Sequence, residues 1–451
     1  MAGNNSQYSI LEAAVISSSA TGEDNTVDIK SNVIELQFFE HLGKPYIDAR
    51  IVFIDDMGLK AALGIQGTER IRIVVGDAEH PEEPKIIKYF YFARIAETKR
   101  TNERSEIISA ELVEEHVYVD AVKQFSRSYT ANLEDIIENI CNRDLGKSVD
   151  RFLFTGSVQG ERKIIVPYMS PIAAIQWLKN RATTKIGAPI YLYSSLYQDD
   201  LCMSDLDNLL GETVINSRLP FRYSKALQAS DDPRRNLYEI IDFREVGGDN
   251  SLSLYEDGAI GSLYSNLDAG TGNSVDDHVT VRDIIDEFYT NGLLSTESIQ
   301  SVYDPTLVID GKLSDEYNSL HIHQVTSSGT YNQFPSYHDE ATLLDGNSDI
   351  VESRLKVKNK IIRSIMRKNM IDIGMNGTFF FSGSVTVGNK VRLLFLSSNV
   401  ESDDKDFVEQ IDTRKSGDYL IVAINHKLTS EKNITQLRLS KLGELPDDFE
   451  L

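Results

Sequence analysis

YIDARIVFID, Tyr46 to Asp55, alternates without a break: Ile47, Ala49, Ile51 and Phe53 share one face of an extended chain, and Asp48 and Arg50 the other. A period of two makes this a half-buried strand. Outward from it, ERIRIVVG (Glu69 to Gly76) sets Ile71, Ile73 and Val75 against Arg70 and Arg72. IIKYFYFARIAETKRTNERSEIISAELV (Ile86 to Val113) reads as two apolar strands joined by a charged turn around Lys99 to Arg104, a hairpin. After seven polar, fraying residues, the chain from residue 8 to about 120 is expected to form an antiparallel sheet or barrel.

The pattern then changes. SYTANLEDIIENICNRDLGKS carries Leu133, Ile136, Ile137 and Ile140 at helical spacing, acids in the early turns and Gly146 as a stop. In YMSPIAAIQWLKNRATT, Ser170 is placed to cap and Pro171 suits the first helical position, while Ile172, Ile175 and Trp177 supply an apolar side. A strand follows at GAPIYLYSSL, so residues 121–210 read as a small α+β domain. From Arg218 strands return, through NLYEIIDFREV and LSLYEDGAIGSLYSNLD. Residues 271–349 are a polar insertion with one expected helix at TVRDIIDEFYTNGLL. Ile350 to Met370 is helical in type and locally basic around SIMRKNM, a patch best read as a solvated helix face, or else as a surface for an acidic partner or a second copy. TFFFSGSVTVGNKVRLLFLSS and GDYLIVAINHKLTSEKNITQLRLSKL (Gly417 to Leu442) are expected to be strands. RIRI (Arg70 to Ile73) and KVRL (Lys390 to Leu393) each follow a glycine turn and precede a hairpin with a charged tip, so two similar strand-rich domains bracket the helical part.

A chain of 451 residues, 41% hydrophobic and 25% charged, has the composition of two to four folded domains. No apolar run reaches the ~18 residues of a membrane helix and MAGNNSQYSI lacks the pattern of a signal peptide, so synthesis and retention in a cytoplasm without membrane insertion are expected. Cys141 and Cys202 are too few for a disulfide framework or a multi-cysteine zinc site, and read as core residues. Sixty-nine acids against 46 basic residues, a net charge of -23, disfavour tight nucleic-acid binding by counterion release. A surface that repels phosphate still lets DNA slide past it.

No motif here predicts catalysis, a cofactor or a metal. His426 shares a strand face with Leu420, Val422, Ile424 and Leu428, with no nucleophile or orienting acid nearby, and reads as a packed histidine. His321 and His323 would point the same way on a strand, as in some zinc sites, but His338 lies beyond a Ser/Gly/Pro-rich loop and no third ligand has a marked spacing. TGSVQG around Ser157 is not a nucleophile elbow, AGTGNS (Ala269 to Ser274) lacks the P-loop lysine, and GGDNS is only a turn. Adjacent acids such as Glu114 with Glu115, or Asp199 with Asp200, carry no weight among 69.

GKPYIDARIVFIDDMGLKAALGIQGTERIRIVV, the charged hairpin, LEDIIENI and IVPYMSPIAAIQWLKNRAT together resemble the baseplate central hub proteins of contractile-tailed bacteriophages, whose fold recurs in the first half of VgrG-type spike proteins. LYEDGAIGSLYSNLD is similar to a segment of their second barrel and the last 30 residues to its closing hairpin; the likeness runs over about residues 30–270 and 350–445. It implies an α+β, predominantly antiparallel β fold. Its domains would be a first tube-forming β-barrel over 1–120, a small α+β domain over 121–210, and a second barrel split into 211–270 and 350–451 around the insertion. It further implies a homotrimer that adapts a six-fold tail tube to a three-fold central spike, with the tail tube protein, the spike, surrounding baseplate proteins and a tape-measure protein as partners. DNA would pass only in transit, within a virion tail assembled in the host cytoplasm. The motifs are architectural, so no functional residue carries over. The alternatives are the hub of a protein-delivering contractile injection system and a cell-wall hydrolase.

Overall fold

The computed structural model describes residues 8–17, 26–58, 69–151, 162–223, 237–246, 261–268, 274–280, 308–313, 320–326, 358–396, 411–412 and 414–443, a few residues within these ranges excepted. The chain opens with β1 (Tyr8–Ile16), β2 (Thr26–Asp28), β3 (Val33–His41), β4 (Asp48–Asp55), β5 (Arg70–Asp77), β6 (Pro84–Arg100) and β7 (Glu106–Val113). They pair antiparallel in the order β2-β1-β5-β6-β7-β4-β3. The alternation seen in sequence decides which side packs: Ile47, Ala49, Ile51 and Phe53 are at most 3% exposed and join Ile71, Ile73, Val75, Phe90 and Phe92 in one core.

After α1 (Glu115–Val122), a second core is built from β8 (Phe125–Ala131), α2 (Leu133–Ile140), β9 (Val149–Asp150), β10 (Arg162–Met169), α3 (Pro171–Lys179), β11 (Ile190–Tyr193) and β12 (Leu201–Asp205), while α4 (Leu206–Gly211) sends Leu206, Leu209 and Leu210 into a different core with Phe221 and Phe380. Helix α2 buries Leu133, Ile136, Ile137 and Ile140 and widens into a π turn over Cys141–Leu145. It stops at Gly146, whose φ of 68° is the left-handed conformation that glycine adopts without a Cβ clash. The start of α3 differs from expectation. Ser170 makes no side-chain cap; the Asp120 carboxylate on α1 takes the Ile172 N–H at 2.6 Å and the Ser170 hydroxyl at 3.1 Å. A charged acceptor satisfies the orphan donor better than a hydroxyl, and it ties the two helices together.

The remainder supplies β13 (Phe221–Tyr223), β14 (Ile240–Val246), β15 (Gly261–Asp268), β16 (Ser274–Thr280), β17 (Val308–Ile309), β18 (Lys312–Leu313), β19 (Leu320–Thr326), β20 (Met370–Asn376), α5 (Thr378–Ser382), β21 (Lys390–Phe395), β22 (Gly417–Thr429) and β23 (Asn433–Gly443). Strands β14-β20-β23-β22-β21 pair antiparallel, β13 joins β21 in parallel, and Arg222 bridges back to Glu239 at the start of β14, so these six strands curl around a third core. Strand β15 pairs with β16 and β19 in a separate three-stranded sheet. The expected helix at Thr280 to Leu294 and the Ser157 turn lie outside the described residues, as do His338, AGTGNS and GGDNS, apart from single residues at their edges.

One expectation is corrected. TFFFS is the short helix α5, not a strand. Three successive phenylalanines have no period of two, and the helical turn sends Phe380 into the third core and Phe381 into the first. In the basic segment Lys360 and Arg367 are exposed, while Lys358 and Ile362 are buried, Arg363 is half-buried over Tyr191, and the Met366 carbonyl accepts the Ser440 hydroxyl at 2.7 Å. Ile362 and Met366 pack in the third core.

One strand unites the molecule. The first half of β22 pairs with β21 and its second half, Ala423 to Thr429, with β3, so thirteen strands form a single sheet. Leu428 at its far end packs in the first core, and Leu420 near its start in the third.

Candidate functional site

The β3–β22 seam is the feature that no local pattern announces, and it carries an organised surface on one face. Side chains pointing toward the cores there are apolar, except for Glu40 and His426. Those pointing away form a ladder of polar pairs from one half of the sheet to the other. At one end Arg244 (β14) and Arg438 (β23) both hold the Asp372 carboxylate (β20), at 2.9 and 2.8 Å. Next, Asn425 (β22) donates to Gln436 (β23) at 3.0 Å and to Gln37 (β3) at 3.3 Å, crossing the seam. Lys427 and Glu35 pair across the same seam at 2.5 Å. Beyond it Arg50 (β4) donates to Ser109 (β7) at 3.1 Å, and Arg94 (β6) to Glu111 (β7) at 2.6 Å. These are cross-strand neighbours, so the registers place each pair within reach.

The pairing sets the electrostatics. Partial burial would raise the Asp372 carboxyl, but hydrogen bonds from Arg438 and Arg244 outweigh it and hold the group below its ordinary value. Glu35 behaves likewise: burial acts upward, and Lys427 and Gln37 more than reverse it. In a chain of net charge -23, this ladder sets five basic side chains, Arg244, Arg438, Lys427, Arg50 and Arg94, against three carboxylates, Asp372, Glu35 and Glu111. The face includes a shallow groove of about 920 Å³ whose walls come from β3, β4, β7, β14, β20, β22 and β23.

Behind the seam the three cores meet. Glu40, 1% exposed, takes the Thr386 hydroxyl at 2.5 Å and the Leu196 N–H at 3.3 Å. Burial outweighs those bonds and pushes its carboxyl up to about 7. Glu114, also buried, accepts from Ile47 N at 2.7 Å and from the Ser194 hydroxyl at 3.1 Å. Tyr197 donates its hydroxyl to the Phe380 carbonyl at 3.2 Å, and Lys88 reaches the Gln198 carbonyl at 2.5 Å. The run from Ser194 to Gln198 thus ties the second core to the other two through side-chain hydrogen bonds.

The sequence candidates fall out accordingly. His426 is fully buried, stacks on Phe381 with centroids 4.6 Å apart, and pairs its Nδ1 with Thr435 Oγ1 at 2.9 Å. Its Nε2 has no partner among the described residues, and burial pushes the imidazole down to about 3, so it stays neutral and structural. Cys141 and Cys202 are buried free thiols raised by burial to about 12. His321 and His323 lie two apart on β19, and among the described residues no group of three His, Cys, Asp or Glu gathers to hold a metal. Glu114 is a buried structural acceptor while Glu115 opens α1, and Asp199 stands within 3.4 Å of Lys88 at the surface; none of these acids forms a facing pair. Glu40 was missed in sequence because a lone acid on an alternating strand looks like a polar-face residue. Its position in phase with Leu36 and Phe38 was the available signal.

No protein-family profile matches the chain, and no curated protein matches its sequence. Among solved structures, the 43 kDa tail protein of prophage MuSo2 from Shewanella oneidensis superposes with a TM-score of 0.50 at 10% identity, over 95% of this chain and 98% of that one. A tail protein from Neisseria meningitidis superposes with a TM-score of 0.51 at 11% identity, over 96% of both chains. The chain shares the fold of these tail proteins across nearly its whole length.

Proposed function

We propose that this chain is a structural hub of a phage tail baseplate: a homotrimer whose two sheet halves per subunit make a ring of six similar units, adapting a six-fold tail tube to a three-fold central spike. The observation that carries this reading is the single sheet joining both halves through β3 and β22, with one internally paired polar face running across the seam. The likeness in fold to two tail proteins over nearly full length supports it. In this reading residues 1–120 form the first tube unit, 121–210 the small clamp beside it, and 211–270 with 350–451 the second unit, interrupted at 271–349. The paired face lines the conduit. Most of its cations are engaged by acids on the same face, Arg244 and Arg438 by Asp372, Lys427 by Glu35 and Arg94 by Glu111, which weakens their hold on passing DNA. Tail tube, spike, the surrounding baseplate proteins and a tape-measure protein are the partners this position implies, and the work done is assembly, not turnover.

Light scattering followed by negative-stain imaging of the same sample tests this. The expected result is a trimer of 50.6 kDa chains, ring-shaped with a central hole and a pseudo-six-fold outline. A monodisperse monomer with a cleft refutes it.

A further inference from the structure

Eight strands lie side by side across the polar face, in the order β6-β7-β4-β3-β22-β23-β20-β14. Among the described residues both ends of that row are open. Strand β6 pairs with β5 only as far as Tyr91, so from Ala93 to Lys99 its backbone holds β7 along one edge and nothing along the other. Strand β14 holds β20 along one edge, and on the other only Glu239, just before the strand, bridges to Arg222. Ile241, an apolar residue on this outermost strand, is 60% exposed. Open edges of this kind are templates for another strand.

The two edges fit each other. All the pairings along the row are antiparallel, and with eight strands in it β6 and β14 run in opposite directions. Rotating a copy about an axis that runs along the strands leaves their directions unchanged. An edge β14 therefore meets the β6 of a neighbouring copy antiparallel, like every other pair in the row, whereas an odd number of strands would force a parallel join. Followed partner by partner, the registers set Asp242 level with Tyr91, where β5 leaves β6. Curving eight strands, ~4.8 Å apart and tilted by roughly 40°, into part of a barrel displaces one edge by about 30 Å, or roughly nine residues. Displaced toward the open end of β6, Asp242 of one copy comes beside Lys99 of the next; both are exposed and their charges are opposite.

We propose that β14 adds to the open edge of β6, over Ala93 to Lys99, on a second copy of this chain, head to tail, so that the polar face continues from copy to copy as one closed barrel. The occupant is a second copy because the chain carries both halves of the join, matched in length, direction and charge. This inference rests on the hub reading and names the surface through which its trimer closes.

The test links the two edges chemically. Asp242→Cys and Lys99→Cys are made singly and together in the full chain and treated with a short bismaleimide, which tolerates a small shift of register; Cys141 and Cys202 are buried and stay unreactive. Light scattering of the untreated protein is read first. The expected result is a trimer whose double variant yields covalent dimer and trimer on a denaturing gel, while each single variant yields monomer alone, because a head-to-tail join brings one of each position together. A trimer whose double variant yields only monomer overturns the join and leaves the hub reading standing. Linking by a single variant also overturns it, since like edges would then meet. A chain that never forms a trimer refutes the hub reading and the join with it. Should the double variant not fold, hydrogen exchange on the wild-type trimer decides: slow exchange in Ile241 to Val246 at the amides facing away from β20 supports the join, and fast exchange there refutes it.

Discussion

Replacing Glu40 with Gln removes a charge from the place where the three cores meet; the amide oxygen can still accept from Leu196 N, and the Thr386 hydroxyl, which bonds the other carboxylate oxygen, can turn to accept from the new amide N–H. The wild-type carboxyl moves from an ordinary value of 4.5 to about 7 on folding. The folded state therefore holds its proton over a range in which the unfolded chain has lost it. The stability this group contributes is full below pH 4.5 and lost as pH rises toward 7. At 1.36 kcal/mol per unit, the shift corresponds to roughly 3 kcal/mol. Urea unfolding of wild type and Glu40→Gln at pH 4.5, 6 and 8, at one protein concentration, is the assay. The two should be close at pH 4.5 and diverge by roughly 2 to 3 kcal/mol at pH 8 in favour of the variant. Parallel curves, or a variant that is weaker at every pH by a constant amount, refute the argument: the carboxylate would then be solvated or fully compensated.

His426 acts in the opposite direction. Its imidazole is lowered from 6.5 to about 3, so the stability it supports above pH 6.5 is lost as pH falls toward 3, and His426→Leu should flatten the acid limb of a stability profile by a few kcal/mol; an unchanged acid limb would contradict this. The thiols of Cys141 and Cys202, raised to about 12 and buried, should resist a disulfide reagent at pH 8 until the protein is unfolded, which thiol titration with and without denaturant would check.

What the sequence makes legible is local. A period of two at Ile47 to Phe53 and a period of 3.6 at Leu133 to Ile140 each name an element and its buried side, because both signals are complete within a dozen residues. The seam is different. Gln37 and Asn425 are 388 residues apart, and each strand alone looks like half of an ordinary hairpin, so nothing local marks them as partners. Phe379 to Phe381 lacked any period to read, and the neighbouring charges hid the burial of Lys358 and Ile362 beside exposed Lys360 and Arg367. The polar ladder was similarly invisible, since Arg50 and Glu111 acquire meaning only once the register of β4 against β7 is known.

The pairing of β3 with β22 also sets a timetable. During synthesis β3 emerges early, while the strand that covers its outer edge is made about 380 residues later, on the order of 20 to 80 s at ordinary elongation rates. Throughout that interval the nascent amino-terminal half exposes an unpaired edge able to recruit any extended chain, including the same edge on a neighbouring ribosome. The half-built protein is thus sticky in proportion to how crowded its message is, and slower translation or denser polysomes would favour misassembly even though the finished molecule keeps that edge closed.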